Sequence, residues 1–189
     1  MAETVSTNQF RNGMHIQLDG GVWRIVEFQH VKPGKGGAFV RSRLRSLDSG
    51  AVVDKTFRAG EKFPRVRTEV KNVQYLYDAG DEVVFMDTET YEQHSVPADV
   101  VGEAGNYLTE GATATVSMHE GYAIGVELSA SVVLRVVGTD PGVQGNRVSG
   151  ALKPATLETG FVVQVPLFVG EGDLVKVDTR SGEYLTREK

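Results

Sequence analysis

Two runs of alternating apolar and polar residues dominate the N-terminal third of the chain. They cover residues 22–31 and 38–47, and both are rich in β-branched and aromatic side chains. Alternation with period 2 is typical of β-strands, and about six Pro- and Gly-rich residues between them suffice to close a hairpin. The pattern therefore predicts a long antiparallel hairpin with the tip Lys32-Pro33-Gly34-Lys35-Gly36-Gly37.

The predicted tip places one long cationic side chain, Lys35, between two glycines. Glycine permits positive φ and allows the backbone to approach a ligand closely. The tip therefore fits a charge that is presented to a ligand at the end of two strands. The alternative is an ordinary Pro/Gly turn in which Lys35 only keeps an exposed loop soluble.

The second run favours the functional interpretation. Arg41, Arg43 and Arg45 recur at every second residue, so a strand would present all three on one face. The opposite face would carry Ala38, Val40 and Leu44. A row of arginines that leads to a lysine fits a phosphate backbone, because cations gain affinity by releasing condensed counterions. We therefore expect this hairpin to bind RNA.

The rest of the pattern predicts short strands and one helix. Residues 10–18 and 52–57 complete a small SH3-like barrel that ends near Phe63-Pro64-Arg65. One helix is predicted over 97–110 and a polar loop over 139–154, and Gly111 is expected to stop the helix. Further strands are predicted over residues 69–77, 83–86, 112–118, 123–128, 132–137, 162–165 and 174–177.

An internal repeat links the two later thirds of the chain. The run VVFMDT at 83–88, followed by Tyr91, parallels LVKVDT at 174–179, followed by Tyr184. Such self-similarity indicates two barrels of related type, and strands around a short helix are typical of the five-stranded oligonucleotide-binding (OB) barrel. We predict an all-β chain with domains at 1–65, 66–128 and 129–189.

The charge is distributed unevenly along these predicted domains. Residues 1–65 hold eleven Lys or Arg against six Asp or Glu, a net of +5, although the whole chain carries −5. Residues 66–128 carry a net of −10, and residues 129–189 are neutral. The N-terminal part is therefore expected to seek a polyanion, while the middle part avoids it or faces a basic surface.

Other function classes find little support in the sequence. Without cysteine, neither disulfides nor thiol chemistry can operate, and the start of the chain does not resemble a signal peptide. The four histidines, His15, His30, His94 and His119, lack paired ligand spacing, so we expect no metal and no cofactor. No phosphate-binding loop or Gly-x-Ser-x-Gly elbow is present. We expect a cytoplasmic monomer that does not enter a membrane.

The tip and the C-terminal runs together resemble bacterial elongation factor P. The matching segments are residues 32–36, KPATLETG at 153–160, VPLF at 165–168 and VDTRSGEYLTR at 177–187. The resemblance implies an SH3-like (KOW-like) domain followed by two OB folds in an L shape similar to tRNA. It also implies a non-enzymatic factor that binds both ribosomal subunits between the P and E sites.

The resemblance assigns roles to particular residues. Lys35 would contact the CCA end of peptidyl-tRNA, stimulate peptide-bond formation and relieve stalling at consecutive prolines, with its neighbours in the tip supporting it. Whether a lysine-modifying enzyme acts on Lys35 stays open. Gly145, Asn146, Arg147, Tyr184 and Arg187 would face the codon and the small subunit. Many relatives carry aspartate where this chain has Asn146.

Two alternatives stay open at this point. An enzyme could use Lys35 as a nucleophile or a nucleotide ligand, but that use needs a buried lysine with a lowered pKa. A paralogous factor of the same fold could serve a different ribosomal task.

Overall fold

The N-terminal strands form a four-stranded sheet and a two-stranded pair. The computed structural model describes residues 3–142 and 150–189 of the chain. The strands are β1 (Thr4–Ser6), β2 (His15–Leu18), β3 (Gly21–Val31), β4 (Phe39–Ser46), β5 (Val52–Arg58) and β6 (Lys62–Pro64). The four-stranded sheet has the order β2-β3-β4-β5, and β1 pairs with β6.

The long hairpin is confirmed. Strands β3 and β4 pair from Val31 opposite Phe39 to Trp23 opposite Ser46, with a register shift between Ile25 and Glu27. One face of the hairpin is buried, because Ile25, Val40 and Leu44 are each 0% exposed. The alternation in the sequence therefore predicts correctly which face of the hairpin packs on the core.

The first predicted strand, residues 10–18, is wrong over its first half. The strand begins at His15, and a 3-10 turn at Thr7–Gln9 precedes Phe10. Phe10 is buried and contacts the rings of Phe57 and Phe63, at centroid distances of 6.2 and 6.0 Å. Its apolar character therefore reflects an anchor in the core, which the alternation alone could not distinguish from a strand position.

A second compact unit, Val70–Lys189, contains two five-stranded sheets. The central strands are β7 (Glu69–Asp78), β8 (Glu82–Asp87), β9 (Gln93–Pro97), β10 (Thr113–His119) and β11 (Tyr122–Glu127). The C-terminal strands are β12 (Ser131–Thr139), β13 (Leu152–Leu157), β14 (Val162–Pro166), β15 (Leu174–Asp178) and β16 (Tyr184–Glu188). The central sheet has the order β11-β10-β7-β8-β9, and the C-terminal sheet has the order β14-β13-β12-β15-β16.

The predicted helix over 97–110 is confirmed in place over residues 98–107, but only its first turn is α-helical. The structure has one α-helical turn, α1 (Ala98–Val101), followed by a 3-10 segment at Gly102–Tyr107. Gly102 has φ +54° and ψ −136°, outside the α region, so the helix cannot continue through it. The helical segment also ends before Gly111, which was expected to stop it. Val101 and Leu108, seven residues apart, are both buried in the core of the central sheet, whereas Tyr107 is buried in the core of the C-terminal sheet.

The predicted loop over 139–154 is wrong at both ends. Strand β12 extends to Thr139, and β13 begins at Leu152, so Lys153 and Pro154 lie in a strand. The pairing between β12 and β13 ends at Thr139 opposite Ala155, whereas Pro154 pairs across to Gln164. Proline is tolerated here because only one neighbouring strand remains at this position.

The internal repeat forms the same turn in both sheets. Asp87 Oδ1 accepts hydrogen bonds from the backbone N–H groups of residues 89 and 90, at 2.8 and 3.1 Å. Asp178 Oδ1 accepts the equivalent bonds from residues 180 and 181, at 2.8 and 3.0 Å. The fifth residue of the turn has positive φ in both, +61° at Tyr91 and +73° at Gly182. The repeat therefore corresponds to two hairpins whose turns have the same hydrogen bonds and a positive φ at the same position.

Candidate nucleic-acid interface

The loop between β3 and β4 is fully exposed at its tip. Residues 32–37 are all exposed, and Lys35 lies at the centre of them. Gly36 has φ +109°, which disfavours any side chain there, whereas a Cβ at Gly34 or Gly37 would meet open space. The backbone therefore requires glycine only at position 36, and the other two leave room around Lys35.

The three arginines of β4 lie on one face, as predicted. Exposed and buried residues alternate along β4, and Arg41, Arg43 and Arg45 are its exposed positions. The neighbouring strands place Gln29 and Thr56 opposite Arg41. This outer face, which we call the arginine face, carries Arg41, Arg43 and Arg45 together with the residues opposite them.

The middle arginine is held by carboxylates, which the sequence analysis did not foresee. Arg43 Nε lies 3.0 Å from Asp54 Oδ1, and its Nη1 lies 3.7 Å from Glu27 Oε2. The hydrogen bond and the attraction to Asp54, with a smaller contribution from Glu27, raise the pKa of Arg43. Glu27, Arg43 and Asp54 lie opposite one another on β3, β4 and β5 and form one cross-strand row. This row has one positive and two negative charges, so it does not favour a phosphate.

The environment of Arg41 leaves its charge available. Its guanidinium carbon lies 5.6 Å from the centroid of the Phe39 ring, a contact that orients the side chain without neutralising it. Gln29, Arg41 and Thr56 form the neighbouring cross-strand row. A shallow groove of about 370 Å³ runs between this row and the row of Arg43. Of these two rows, the row with Gln29, Arg41 and Thr56 is the better phosphate site.

The C-terminal candidates divide into three groups. Gly145, Asn146 and Arg147 lie outside the described residues. Tyr184 is half-buried and packs against the core of the C-terminal sheet. Arg187 lies 5.0 Å from the ring centroid of Phe168, and its Nη1 is 3.4 Å from Asp173 Oδ2. Of the two described candidates, Arg187 is exposed and Tyr184 is half-buried.

The sequence did not predict the two residues that contact Arg187, which are Phe168 and Asp173. Phe168 is 63% exposed, and it directly follows Leu167, whose carbonyl oxygen is 2.6 Å from the place of a Cβ on Gly142. Asp173 accepts a 2.9 Å hydrogen bond from the Gly170 N–H, and this bond, with the nearby Arg187, lowers the pKa of Asp173. The apolar run that contains Phe168 resembles a core segment, so nothing in the local pattern marks this ring as exposed.

Within the described residues, the structure has no cluster of metal-binding side chains and no helix that could span a membrane. Across residues 3–142 and 150–189, no group of three or more His, Asp or Glu side chains could hold a metal ion. In the same part of the chain, no helix has the length and apolar character to cross a bilayer. A groove of about 530 Å³ beside Val73, Thr115 and Leu128 is lined mainly by hydroxyl and apolar groups.

Three family profiles match successive parts of the chain. The profile described as "Elongation factor P (EF-P) KOW-like domain" matches residues 6–63. The profile described as "Elongation factor P (EF-P) OB domain" matches residues 68–126, and "Elongation factor P, C-terminal" matches residues 132–187. The matches follow the order of the three sheet regions described above.

Full-length relatives extend the similarity over almost the whole chain. A protein named Elongation factor P from Maridesulfovibrio salexigens is 57% identical over 185 residues, covering 98% of this chain and 100% of that protein. A protein of the same name from Acidothermus cellulolyticus is 57% identical over 182 residues, covering 96% and 97%. A solved structure of eukaryotic translation initiation factor 5A from Methanococcus jannaschii has a TM-score of 0.45 and 25% identity, covering 68% of this chain and 92% of that one.

Proposed function

The chain belongs to the elongation factor P family, and from that premise we propose that it binds the ribosome between the P and E sites. There it contacts peptidyl-tRNA through Lys35, stimulates peptide-bond formation and relieves stalling at consecutive prolines. The observation that carries this proposal is the exposed Lys35 at the tip of a hairpin whose outer face is lined by arginines. The factor acts in the cytoplasm and uses no covalent chemistry of its own.

The proposed mechanism is one of positioning. Proline is a conformationally constrained donor and acceptor, so a peptidyl-tRNA that ends in proline samples geometries that do not react. A cation beside the CCA end holds the sugar-phosphate backbone and reduces this sampling. Each ~1.4 kcal/mol removed from the barrier accelerates the reaction about tenfold. The ammonium of Lys35 suits this task because it is a compact point charge on a flexible stem.

The exposure of Lys35 argues against its use as an enzymatic nucleophile. A lysine nucleophile is activated by desolvation or by a neighbouring cation, whereas the residues on either side of Lys35 are exposed glycines. In the proposed role Lys35 orients the tRNA and transfers no proton. A modification of Lys35 would extend its reach without changing this role.

The arginine face supplies the proposed RNA contact behind the tip. Arg41 and Arg45 are exposed on β4, and Arg41 keeps its charge above the Phe39 ring. We assign the contact mainly to Arg41, since Arg43 is engaged by Asp54 and Glu27, and we include Arg45 as an exposed residue of the same face. On the codon side, the proposed contacts are Arg187, Tyr184 and the loop with Gly145, Asn146 and Arg147.

The central test replaces the tip lysine. Lys35→Ala should abolish rescue of a proline-stalled ribosome in a puromycin assay, while the melting temperature stays unchanged because an exposed tip contributes little packing. Lys62→Ala removes an exposed lysine of β6 in the same unit and should keep full rescue. Full rescue by Lys35→Ala would disprove the proposed mechanism. Failure of the wild-type protein to rescue would instead favour a paralogous factor.

A further inference from the structure

One side chain of the central sheet region is buried in the core of the C-terminal sheet. Tyr107 ends the 3-10 segment between α1 and β10, yet it packs in the cluster formed by β12 to β15. It is 5% exposed, and its ring lies 5.2 Å from the Phe161 ring at an interplanar angle of 61°. A residue of one sheet region thus completes the core of the other.

Neighbouring contacts join the same two regions. Thr159 Oγ1, in the β13–β14 turn, donates a 2.6 Å hydrogen bond to the carbonyl oxygen of Asn106. Leu128 packs against both apolar clusters at the point where the chain passes from β11 to β12. The two sheets are therefore held together by side chains and not by the chain connection alone.

Gly182 shows how closely these groups fit. Its φ of +73° favours glycine, and a Cβ there would lie 3.2 Å from Phe161 Cζ and 3.2 Å from Tyr107 Oη. In the equivalent turn of the central sheet, the same position is occupied by Tyr91, with φ +61°. A side chain is thus accommodated in one turn, while in the other the space is taken by Tyr107 and Phe161.

We propose that Tyr107, seated between Phe161 and Gly182, is a positioning residue that fixes the C-terminal sheet relative to the central sheet. Sheets joined only by a short connection are expected to move against each other unless a packed contact prevents it. A factor that touches RNA at both ends needs its C-terminal contacts at a defined distance from the rest. This functional consequence rests on the proposed function, whereas the rigid coupling itself does not.

The test uses the full chain and compares two matched glycines. Gly182→Ala adds a methyl group against Phe161 and Tyr107. Gly121→Ala adds one in the β10–β11 turn, where φ is +84° and nothing lies within 4 Å. Both variants bear similar backbone strain, so only the crowding differs. Tyr107→Ala removes the ring, and Tyr107→Phe keeps it.

The direct readout is the rotational correlation time of each sheet from ¹⁵N relaxation. Amides of residues 70–127 and 131–188 should share one value in the wild type, Gly121→Ala and Tyr107→Phe. They should give two values in Gly182→Ala and Tyr107→Ala. Proline rescue should fall about tenfold to a hundredfold in the same two variants, since small misplacements have effects of that size.

Each outcome decides the proposal. If the two sheets of Tyr107→Ala share a single correlation time, the proposed coupling between the sheets is wrong. If Tyr107→Ala does not fold, a single correlation time in Gly182→Ala has the same meaning. Independent tumbling with unchanged rescue overturns the positioning role. The relaxation experiment needs no ribosome, so its result is independent of Lys35→Ala, which alone decides the proposed function.

Discussion

At the scale of single residues, the arginine face shows what alternation along a strand can and cannot predict. The period of two in residues 38–47 correctly placed Arg41, Arg43 and Arg45 on the exposed side of β4. The partners of Arg43 depend on the residues that lie opposite it on β3 and β5. The register shift between Ile25 and Glu27 brings Glu27 beside it, and no local pattern reveals that shift.

Releasing Arg43 should therefore strengthen RNA binding. In Asp54→Asn, Arg43 loses the closer of its two carboxylates and keeps only the 3.7 Å contact with Glu27, so it becomes more available to a phosphate. We expect ribosome affinity to rise at low salt and the slope of log affinity against log salt to steepen by about one. Filter binding to ribosomes over a salt series measures both quantities.

Two further variants make this prediction specific. Asp48→Asn removes an exposed carboxylate from the turn after β4 and should leave the slope unchanged. Arg41→Gln should make the slope less steep by about one, because one phosphate contact is lost. An Asp54→Asn protein that binds no better than Asp48→Asn would show that Arg43 does not face the RNA.

At the scale of elements, most strands were predicted, including the edge strands β2, β5, β11 and β14, whereas β9, β13 and β16 were missed. Strand β13 buries alternate residues, but its first half falls in the predicted loop over 139–154. Strands β9 and β16 lie at the ends of their sheets, and each buries at most one residue fully. Their sequences therefore lack the apolar alternation that marks a strand. The α-helix is short for the opposite reason: the spacing of Val101, Ala104 and Leu108 is helical, but the conformation of Gly102 interrupts the α-helix.

The paired turns lead to a prediction about pH. Hydrogen bonds from backbone N–H groups lower the pKa of Asp87 and of Asp178. A carboxyl group whose pKa is lower in the folded state stabilises the fold above its unfolded value of about 3.9, and this contribution is lost as pH falls through the lowered value. Asp178→Asn should therefore melt a few degrees below the wild type at pH 7, with the difference shrinking below about pH 4.

Thermal melts of both proteins from pH 7 to pH 3 measure this difference. Asp81→Asn removes an exposed aspartate from another turn of the same unit and should follow the wild type at every pH. A gap between Asp178→Asn and the wild type that stays constant down to pH 3 would contradict an electrostatic role for the turn.

At the scale of the whole molecule, the uneven distribution of charge follows the division of the chain into compact units. The positive excess of residues 1–65 lies within the first compact unit, which carries the hairpin, whereas residues 66–128 hold the negative excess. The repeat predicted two related sheets, and both place their first strand in the middle of the order. The contact of Tyr107 with the C-terminal core could not be predicted, because it joins residues far apart in sequence.

The second unit should fold on its own. Residues 70–189 contain two buried apolar clusters, built on Val73, Phe85 and Val116 in one sheet and on Leu134, Leu157 and Val175 in the other. We expect the isolated fragment to melt cooperatively and to give a dispersed NMR spectrum, but to lack proline rescue because it has no Lys35. A fragment without a melting transition would show that its stability depends on the first unit. The boundaries at residues 65 and 128 stay a prediction.

The loop between β3 and β4 has a consequence for how such chains diverge. All six residues at 32–37 are exposed, whereas the strands on either side carry the fully buried Ile25, Val40 and Leu44. Selection for folding therefore acts on the strands and, within the tip, mainly on Gly36. Substitutions at the tip are limited mainly by the binding partner, so we expect the tip sequence to differ between chains whose partners differ.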